Sequence, residues 1–410
     1  MQNKAKIKQL KQNIITNADQ CVRCAKCLPY CPTYVISENE AESARGRIAL
    51  LKAFALEQTD LSGKSIDYLD HCLTCRACEA VCPAEVKYGT LIDQGRELIH
   101  HYPSNSVHQK IPHLLNKLIL SKTSRSFWRQ VIRFYQRSGL SWLVNKTHLL
   151  NLSPIRTYTK LIKPIPAPIA WQNVYMPKGK AQGKVALFLG CISDFIDQQT
   201  LHAGIVLLNH LGYGVFVPPQ QTCCGALHQH AGDKSQANLL QQQNQEIFSN
   251  TMVEAIVTTA SGCSITLQEQ VRLPVFDTAV FFAMNYPIKT SPLPTCNKKV
   301  LLHLPCTMRY VMRQQPALIE LLKQIPGLQL LFLESELCCG AAGMQMLSFP
   351  EQANKLAARI IAEIQLKQPD LILTFNIGCE LHLMNHLKNR KINIQIQHPS
   401  IFLANLLKLT

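Results

Sequence analysis

The chain has 410 residues, 17 cysteines and a formal net charge of +16. This length allows two to four domains, each with its own core. We expect an intracellular protein that does not span a bilayer, because the sequence shows neither a signal peptide nor an apolar run of about 18 residues. In such a setting cysteines stay reduced, and clustered thiols indicate metal ligands rather than disulfides.

Two cysteine runs near the N-terminus share the spacing C-x2-C-x2-C-x3-C-P and begin at Cys21 and Cys72. Bacterial ferredoxins use this spacing for two [4Fe–4S] clusters, and the fourth cysteine of each run binds the other run's cluster. Structural zinc is the weaker alternative, because zinc sites pair CxxC motifs and leave no use for a third close cysteine. The predicted ligands are Cys21, Cys24, Cys27 and Cys82 for the first cluster, and Cys72, Cys75, Cys78 and Cys31 for the second.

Residues 1–100 are predicted to form a mostly helical ferredoxin-type domain. Residues 47–57, between the two runs, have helical spacing and good helix formers. The 40 residues between Cys31 and Cys72 exceed what a minimal ferredoxin of two hairpins needs.

Residues 101–180 form a predicted connector with most of the basic excess. From residue 98 to residue 193 there are 14 lysines and arginines and no acidic residue. The second half is interrupted by prolines, among them Pro154, Pro164 and Pro166, and should be extended. The first half is predicted to be helical, with an arginine stripe on one side and apolar residues on the other. The stripe is Arg125, Arg129, Arg133 and Arg137; Phe127, Val131, Phe134 and Tyr135 lie opposite, and Trp128 and Ile132 flank them.

Three interpretations of this predicted helix stay open. A basic stripe opposite apolar residues is typical of a helix that rests on an anionic membrane surface. It is equally typical of a helix that covers the protein's own core and turns a basic face to solvent, or of one that docks to an acidic partner subunit. Nucleic acid is disfavoured, because the rest of the chain offers no recognition module.

The C-terminal half is an internal repeat, with predicted domains at residues 181–290 and 296–410. In each copy a cysteine is followed after 31 residues by Cys-Cys-Gly, and after a further 37 or 38 residues by a last cysteine. Strands at 185–190, 215–217 and 256–258, and at 300–305, 328–333 and 371–374, alternate with helices such as 200–211 and 351–366. This alternation predicts a parallel α/β sheet in each copy, with the cysteines at the carboxyl ends of the strands. These cysteines are Cys191, Cys223, Cys224 and Cys263, and Cys306, Cys338, Cys339 and Cys379.

Four chemistries are open for the repeated cysteines. They are a further iron–sulfur cluster, a structural zinc, a thiol–disulfide relay, and, in the first copy, small apolar fillers. His382 stands where a further spaced ligand would lie, although a lone histidine is more often structural. Cys296 lies outside both copies and is predicted to be inert. Other polar residues near these cysteines are His228, His230, Ser264, Thr266, His303 and His398.

With these motifs the chain resembles the iron–sulfur subunit of bacterial glycolate oxidase (glycolate dehydrogenase) over nearly its full length except the connector. The repeats are similar to the CCG domains of heterodisulfide reductase subunits and lactate-utilisation proteins. In the disulfide-reductase relatives the last cysteine opens a CxxC, and Cys263 and Cys379 depart from that pattern. The motifs that carry the resemblance are residues 18–21 (ADQC), 31–34 (CPTY), 42–47 (ESARGR), 72–79 (CLTCRACE), 88–89 (YG), 223–227 (CCGAL) with His230, 303–307 (HLPCT), 337–340 (LCCG) and 376–379 (NIGC).

The resemblance implies an α+β protein, in which a mostly helical two-cluster ferredoxin domain precedes two α/β CCG domains. It also implies a division of labour within an oxidoreductase. A separate FAD-containing subunit would oxidise a 2-hydroxy acid such as glycolate or D-lactate, and this chain would pass the electrons toward a membrane quinone. Its place would be peripheral, on the cytoplasmic face of the inner membrane.

The sequence itself adds that this chain has no G-x-G-x-x-G after a strand and no P-loop. We therefore predict that it binds neither FAD nor NAD, and we assign no catalytic residue. Two alternatives remain: the iron–sulfur subunit of a lactate or glycerol-3-phosphate dehydrogenase, and a thiol/disulfide enzyme of the heterodisulfide-reductase type.

Overall fold

The computed structural model describes residues 2–60, 63–102, 122–138, 165 and 167–409. Much of the predicted connector, including Trp142, Pro154, Pro164 and Pro166, therefore lies outside the described residues. The chain divides into two compact units. Unit 1 comprises Met1–Leu114, Gly225–Leu239 and Ser335–Ile360, and unit 2 comprises Leu115–Cys224, Leu240–Glu334 and Ile361–Thr410.

Unit 1 is helical around its cysteines, as the sequence predicts. Helices Gln2–Asp19, Ala44–Ala55 and Tyr88–His100 pack against one another and bury Leu51 and Leu91 completely. The predicted helix at 47–57 is therefore present, displaced toward the N-terminus. The other elements of the unit are helices Pro32–Ser37, Gly63–Asp70, Ala77–Ala80, Ala226–His230 and Gln345–Ser348, a 3-10 turn at Glu40–Glu42, and parts of helices Lys234–Ser249 and Pro350–Lys367.

Two segments that follow the Cys-Cys-Gly turns fold with the ferredoxin helices in unit 1. The Gln229 Nε2 donates a hydrogen bond to Asp93 Oδ2 at 2.7 Å. The Gln352 Nε2 donates to the backbone carbonyl of His71 at 3.1 Å, and the Phe349 ring packs edge-on against the His71 ring at 4.5 Å. Nothing in the spacing of the sequence predicted this packing.

Unit 2 contains two sheets, one from each copy of the repeat. Their strand orders are β1-β3-β2-β4-β5 and β7-β6-β8-β9. Among the described strands, β1 pairs antiparallel with β3 and the other pairings are parallel. The strands are β1 Val174–Tyr175, β2 Gly183–Leu187, β3 Tyr213–Phe216, β4 Ala255–Thr258, β5 Val275–Asp277, β6 Lys299–His303, β7 Gln329–Phe332, β8 Leu371–Thr374 and β9 Gln395–Gln397.

The predicted fold class is confirmed, and all six predicted strands are present. The sequence missed β1, β5 and β9, because two or three residues are too few to show a period. The helices that lie wholly or partly in unit 2 are Lys122–Arg137, Cys191–Ile196, Gln198–His210, Lys234–Ser249, Ser261–Gln268, Thr278–Asn285, Gln315–Lys323, Pro350–Lys367, Ile377–Asn389 and Pro399–Leu406, with a π-helix at Thr307–Met312. Among the described residues, no helix is both long and apolar enough to span a membrane.

The two copies of the repeat meet through equivalent helix caps. Asp277 follows β5 and caps helix Thr278–Asn285, and His398 follows β9 and caps helix Pro399–Leu406. The His398 Nε2 also lies 3.0 Å from Asp277 Oδ2, and both side chains are buried. Because His398 Nδ1 accepts the N–H of Ser400, its Nε2 carries the proton that Asp277 accepts. One buried hydrogen bond thus joins the two sheets' capping residues.

Gly46 allows the first helix turn to approach the 3-10 turn before it. Its backbone N–H donates to the Ser43 side chain, which caps helix Ala44–Ala55. A Cβ on Gly46 would lie 2.0 Å from the Glu40 carbonyl oxygen, which is far inside van der Waals contact. Only glycine fits without moving the backbone.

We expect Gly46→Ala to destabilise unit 1 by about 1–3 kcal/mol, because backbone must shift to admit the methyl group. The measurement is the thermal unfolding midpoint of the full chain, followed by circular dichroism. Gly63→Ala is the matched control, since a Cβ there would meet nothing within 4 Å. Equal midpoints for the two variants would contradict the packing described here.

Candidate iron–sulfur and thiol sites

The four predicted ligands of the first cluster line one cavity in unit 1, namely Cys21, Cys24, Cys27 and Cys82. Arg23 and Ala25 adopt left-handed backbone conformations, with φ of 56° and 68°. These turns let the short loop wrap, so that three close cysteines face the same cavity. Soft thiolates in one pocket are the donor set that an iron–sulfur cluster requires.

The four predicted ligands of the second cluster are buried in the same unit; they are Cys72, Cys75, Cys78 and Cys31. Burial raises the pKa of Cys78 well above its usual value, and the neighbouring thiols Cys75, Cys72 and Cys31 act in the same direction. The charges of these sulfurs therefore oppose one another in a dry environment. Such a set can be ionised only when a cationic group neutralises it, so these residues fit an iron–sulfur cluster.

The sequence predicts that each set holds a cluster of four irons rather than a single ion. Among the described residues, no group of three or more His, Cys, Asp or Glu side chains is arranged for a single metal ion. A cubane differs from a single ion because its four thiolates each bind a different iron, and so stand further apart.

A buried ionic network lies beside the second set. Arg47 is 1 % exposed and its Nη2 lies 2.7 Å from Glu42 Oε2. Its Nη1 donates to Thr33 Oγ1 at 3.0 Å and lies 3.9 Å from Cys31 Sγ. Burial acts to lower the pKa of Arg47, but Cys72, Tyr88, Cys31 and Glu42 outweigh it and raise the pKa above its usual value. Arg47 is therefore a fixed positive charge next to a proposed ligand.

Further donors reach the second set from neighbouring helices. The Tyr88 hydroxyl donates to Cys72 Sγ at 3.5 Å, and Arg96 Nη2 donates to the Cys72 carbonyl at 2.7 Å. The His71 Nδ1 lies 2.6 Å from Glu42 Oε1. The sequence singled out Glu42, Arg47 and Tyr88 only as parts of family motifs, and the structure shows that they surround Cys31 and Cys72.

The cysteines of the first repeat form two close pairs in unit 2. The Sγ atoms of Cys191 and Cys223 are 3.4 Å apart, and those of Cys224 and Cys263 are 3.5 Å apart. The hydrogen bond with Cys223 and burial raise the pKa of Cys191 well above its usual value, while the charge of Arg125 acts in the opposite direction. As predicted, the strands of this copy bring all four thiols together.

The cysteines of the second repeat are divided between the units, so each half is described by itself. In unit 1 the Cys338 Sγ accepts the Gly340 N–H at 3.4 Å. In unit 2, Cys379 lies in the first turn of helix Ile377–Asn389, and Cys306 immediately precedes the π-helix. The candidate ligand His382 is buried and packs edge-on against the His386 ring at 4.8 Å.

Most of the other polar residues that the sequence singled out have structural partners. His228 Nδ1 lies 3.1 Å from Asp233 Oδ2, and His230 Nδ1 lies 3.2 Å from Asp93 Oδ1. Ser264 Oγ lies 2.6 Å from Thr258 Oγ1. Thr266 Oγ1 donates to the Gly262 carbonyl, His303 contacts Thr374, and Cys296 packs against the core of unit 2.

The basic helix Lys122–Arg137 belongs to unit 2 and directs Arg125 and Arg129 to the helix Cys191–Ile196 of the same unit. Arg129 donates to the backbone carbonyls of Asp194 and Phe195, and Arg125 is buried with its Nη2 3.8 Å from Asp194 Oδ2. Asp194 belongs to the helix Cys191–Ile196, which begins at a site cysteine. For Arg125 and Arg129 this placement favours the interpretation that the helix covers its own unit.

The aromatic side of the basic helix faces outward. Phe127 is 60 % exposed, Trp128 38 % and Phe134 69 %. Arg133 is half-buried and Arg137 is exposed. The helix therefore exposes its apolar rings, while Arg125 and Arg129 of the arginine stripe face the rest of unit 2.

Three family models match the chain. The 4Fe-4S dicluster domain matches residues 17–86, the cysteine-rich domain matches residues 185–268 and 300–384, and the linker region of the glycolate oxidase iron-sulfur subunit matches residues 114–161. The probable glycolate oxidase iron-sulfur subunit of Bacillus subtilis is 30 % identical over 99 % of this chain and 98 % of that protein. The chain belongs to the glycolate oxidase iron–sulfur subunit family. The resemblance drawn from the motifs is thereby confirmed.

Two further proteins are similar to this chain. The glycolate oxidase iron-sulfur subunit of Escherichia coli is 28 % identical over 88 % of this chain and 89 % of that protein. Lactate utilization protein A 2 of Bacillus cereus is 24 % identical over 54 % of this chain and 98 % of that protein. The dicluster and cysteine-rich matches support iron–sulfur clusters as the cofactors.

The stability of unit 2 should depend on pH through His303, because burial lowers its pKa to about 4, with Arg309 acting in the same direction. The unfolded chain binds a proton near pH 6.5 and the folded chain only near pH 4, so stability is full above pH 6.5 and falls below it. The free energy of unfolding falls by about 3 kcal/mol as the pH decreases from 6.5 to 4. We expect His303→Gln to reduce the fall in unfolding midpoint between pH 7.5 and 5. The exposed His202→Gln is the control, and an unchanged slope in His303→Gln would contradict the prediction.

Proposed function

We propose that this chain is the electron-transfer subunit of a flavin-dependent 2-hydroxy-acid dehydrogenase complex of the glycolate oxidase type. The observation that carries the proposal is the pair of four-cysteine sets in unit 1, one lining a cavity and one buried. Iron–sulfur clusters transfer single electrons, which suits a link between a two-electron flavin and a further acceptor. Family membership supports this assignment.

The two sets of cysteines in unit 1 would each hold one cluster. Cys21, Cys24, Cys27 and Cys82 would hold the first cluster, and Cys72, Cys75, Cys78 and Cys31 the second. Cys24, in the loop that carries three of the four residues of the first set, is exposed, so this loop offers an approach for a partner. The second set is buried, which excludes water and keeps neighbouring charges effective.

The proposed partners are an FAD-containing subunit, which would oxidise glycolate or D-lactate, and a membrane quinone as acceptor. The names of the relatives support the substrate class, since they are described as glycolate oxidase subunits and as a lactate utilization protein. This chain then contributes electron transfer alone. We propose that the complex is peripheral on the cytoplasmic face of the inner membrane.

The thiols of the first repeat supply the donor set of a further metal centre, because they are mostly buried and converge in two pairs. The same pairing suits reversible disulfide formation, which is the second candidate for this site. Metal analysis distinguishes the two: metal that Cys223→Ser removes supports a centre, whereas no metal and two thiols lost per disulfide on oxidation support a relay.

The subunit purified without oxygen should contain about eight irons for two cubanes. Cys78→Ser should lower the iron content to about four, because one cluster loses a ligand and its neighbouring thiolates are left without a cation. The measurement is iron and sulfide analysis with electron paramagnetic resonance of the reduced protein.

Cys296→Ser is the matched control and should keep the full iron content, since Cys296 belongs to neither set. Fewer than about six irons in the unmutated chain would sink the two-cluster proposal. In the complex with the flavoprotein subunit, glycolate and D-lactate are then compared for their ability to reduce the clusters. Reduction by neither acid would sink the proposed substrate class.

The outward aromatic face of the basic helix is proposed as the contact with an anionic membrane. Its rings are exposed, and the chain from residue 98 to residue 193 has 14 basic and no acidic residues. Aromatic side chains in the interface and basic residues near lipid headgroups are the two contributions that bind such a helix.

The double variant Phe127→Gln and Phe134→Gln should bind vesicles that contain phosphatidylglycerol at least about tenfold more weakly, since each buried ring contributes about 1.5–3 kcal/mol. Binding is measured by vesicle sedimentation. Met252→Gln with Leu366→Gln is the matched control, because these residues are 94 % and 84 % exposed and lie elsewhere. Unchanged binding of the aromatic variant would assign this face to a partner subunit.

A further inference from the structure

Two arginine–glutamate pairs of the same spacing lie at the start of helix Ala44–Ala55. Arg45 Nε lies 2.7 Å from Glu40 Oε1, and Arg47 Nη2 lies 2.7 Å from Glu42 Oε2. The side chains of Arg45 and Glu40 are 28 % and 48 % exposed, whereas those of Arg47 and Glu42 are 1 % and 8 % exposed. The two ion pairs therefore have the same residue types and spacing, but one is partly exposed to solvent and the other is buried.

Each pair lies beside a different set of cysteines. Arg45 Nη1 donates to the backbone carbonyl of Arg23, which is in the loop of the first set, at 3.1 Å. Arg47 Nη1 lies 3.9 Å from the Sγ of Cys31, in the second set. Water and salt screen the exposed pair, but the field of the buried pair reaches its neighbour with little loss.

The buried pair is oriented with its positive end toward sulfur. Glu42 lies on the Nη2 side of Arg47, where its other oxygen contacts His71, and leaves Nη1 to face Cys31 and Thr33. A second donor, the Tyr88 hydroxyl, reaches the Sγ of Cys72 at 3.5 Å. Positive charge and hydrogen bonds at the sulfurs stabilise the more negative, reduced form of a cluster.

We propose that Arg47, oriented by Glu42, and the Tyr88 hydroxyl raise the reduction potential of the second cluster above that of the first. This inference rests on the proposed function, which assigns clusters to the two sets. These side chains bind no iron and act as positioning residues. A single electron shared by the two clusters would then reside mainly on the second, with no bond or proton exchanged.

The second set of cysteines lies next to a segment of the second repeat, which indicates where an electron held by this set would be located. The Gln345 Nε2 donates to the Cys72 carbonyl at 3.3 Å, and Gln352 donates to the carbonyl of His71. Both glutamines belong to the segment of unit 1 that also carries Cys338 and Cys339. Cys72 would thus hold the cluster of higher potential next to this segment of the second repeat, which also contacts the neighbouring His71.

The test is a redox titration of the full iron-loaded chain, followed by electron paramagnetic resonance. At a fixed potential, Arg47→Gln should lower the ratio of reduced to oxidised second cluster about tenfold, which is about 59 mV for one electron. Arg45→Gln, in the exposed pair, is the matched control and should change neither cluster by more than about twofold, because water screens its charge.

Glu42→Gln should act in the opposite direction and raise the potential of the second cluster, since it leaves the charge of Arg47 uncompensated. If the two substitutions shift the potential in opposite directions, the effect is electrostatic, because structural disruption would not depend on which member of the ion pair is replaced. Tyr88→Phe should lower the potential with little change in shape, and Tyr102→Phe, which removes a hydroxyl elsewhere in the unit, should not. If Arg47→Gln fails to assemble, Glu42→Gln and Tyr88→Phe decide by the same measurement.

The outcomes keep the two proposals apart. Two intact cluster signals whose potentials do not move in Arg47→Gln and Tyr88→Phe overturn this inference and leave the proposed function standing. A shift of the same sign in Arg47→Gln and Glu42→Gln also overturns it. Absence of two cluster signals from the unmutated chain overturns the proposed function itself.

Discussion

The burial of four neighbouring cysteines, Cys31, Cys72, Cys75 and Cys78, is the constraint on which unit 1 depends. Thiolates that repel one another in a dry interior need positive charge and hydrogen-bond donors close by. Helix Ala44–Ala55 supplies Arg47, and helix Tyr88–His100 supplies Tyr88 and Arg96. These helices therefore both build the apolar core and supply the polar groups around Cys31 and Cys72.

In unit 2, single residues at the repeats take part in both local and long-range contacts. Each copy contributes a sheet of mostly parallel strands that ends in a capped helix, and the loops of the first copy gather four cysteines. Asp277 and His398 cap equivalent helices and also bond to each other, so one buried contact serves local and long-range structure together. The four thiols of the first copy lie at the carboxyl ends of its strands, where parallel sheets place their sites.

The charge pattern of the basic helix does not by itself show which of its faces is exposed. Its arginine stripe has the form expected of a surface contact, yet Arg125 and Arg129 are directed to Asp194 and the neighbouring backbone. Arginine tolerates this placement because its guanidinium donates several hydrogen bonds while its stem packs on apolar groups. The rings on the opposite side are consequently left outside, which changes the residues that a membrane or a partner would meet.

The sequence by itself determined the features that have a local period or a fixed spacing. These are the two ferredoxin runs, the duplicated cysteine pattern, the six longer strands and the helix that begins near Arg47. The tertiary structure alone decided which face of the basic helix is exposed, where the segments after the Cys-Cys-Gly turns pack, and what Arg47 and Tyr88 contact. The reason is physical: these outcomes depend on residues such as Gln352 and His71, which are distant along the chain, and contacts of that kind leave no periodic trace in the sequence.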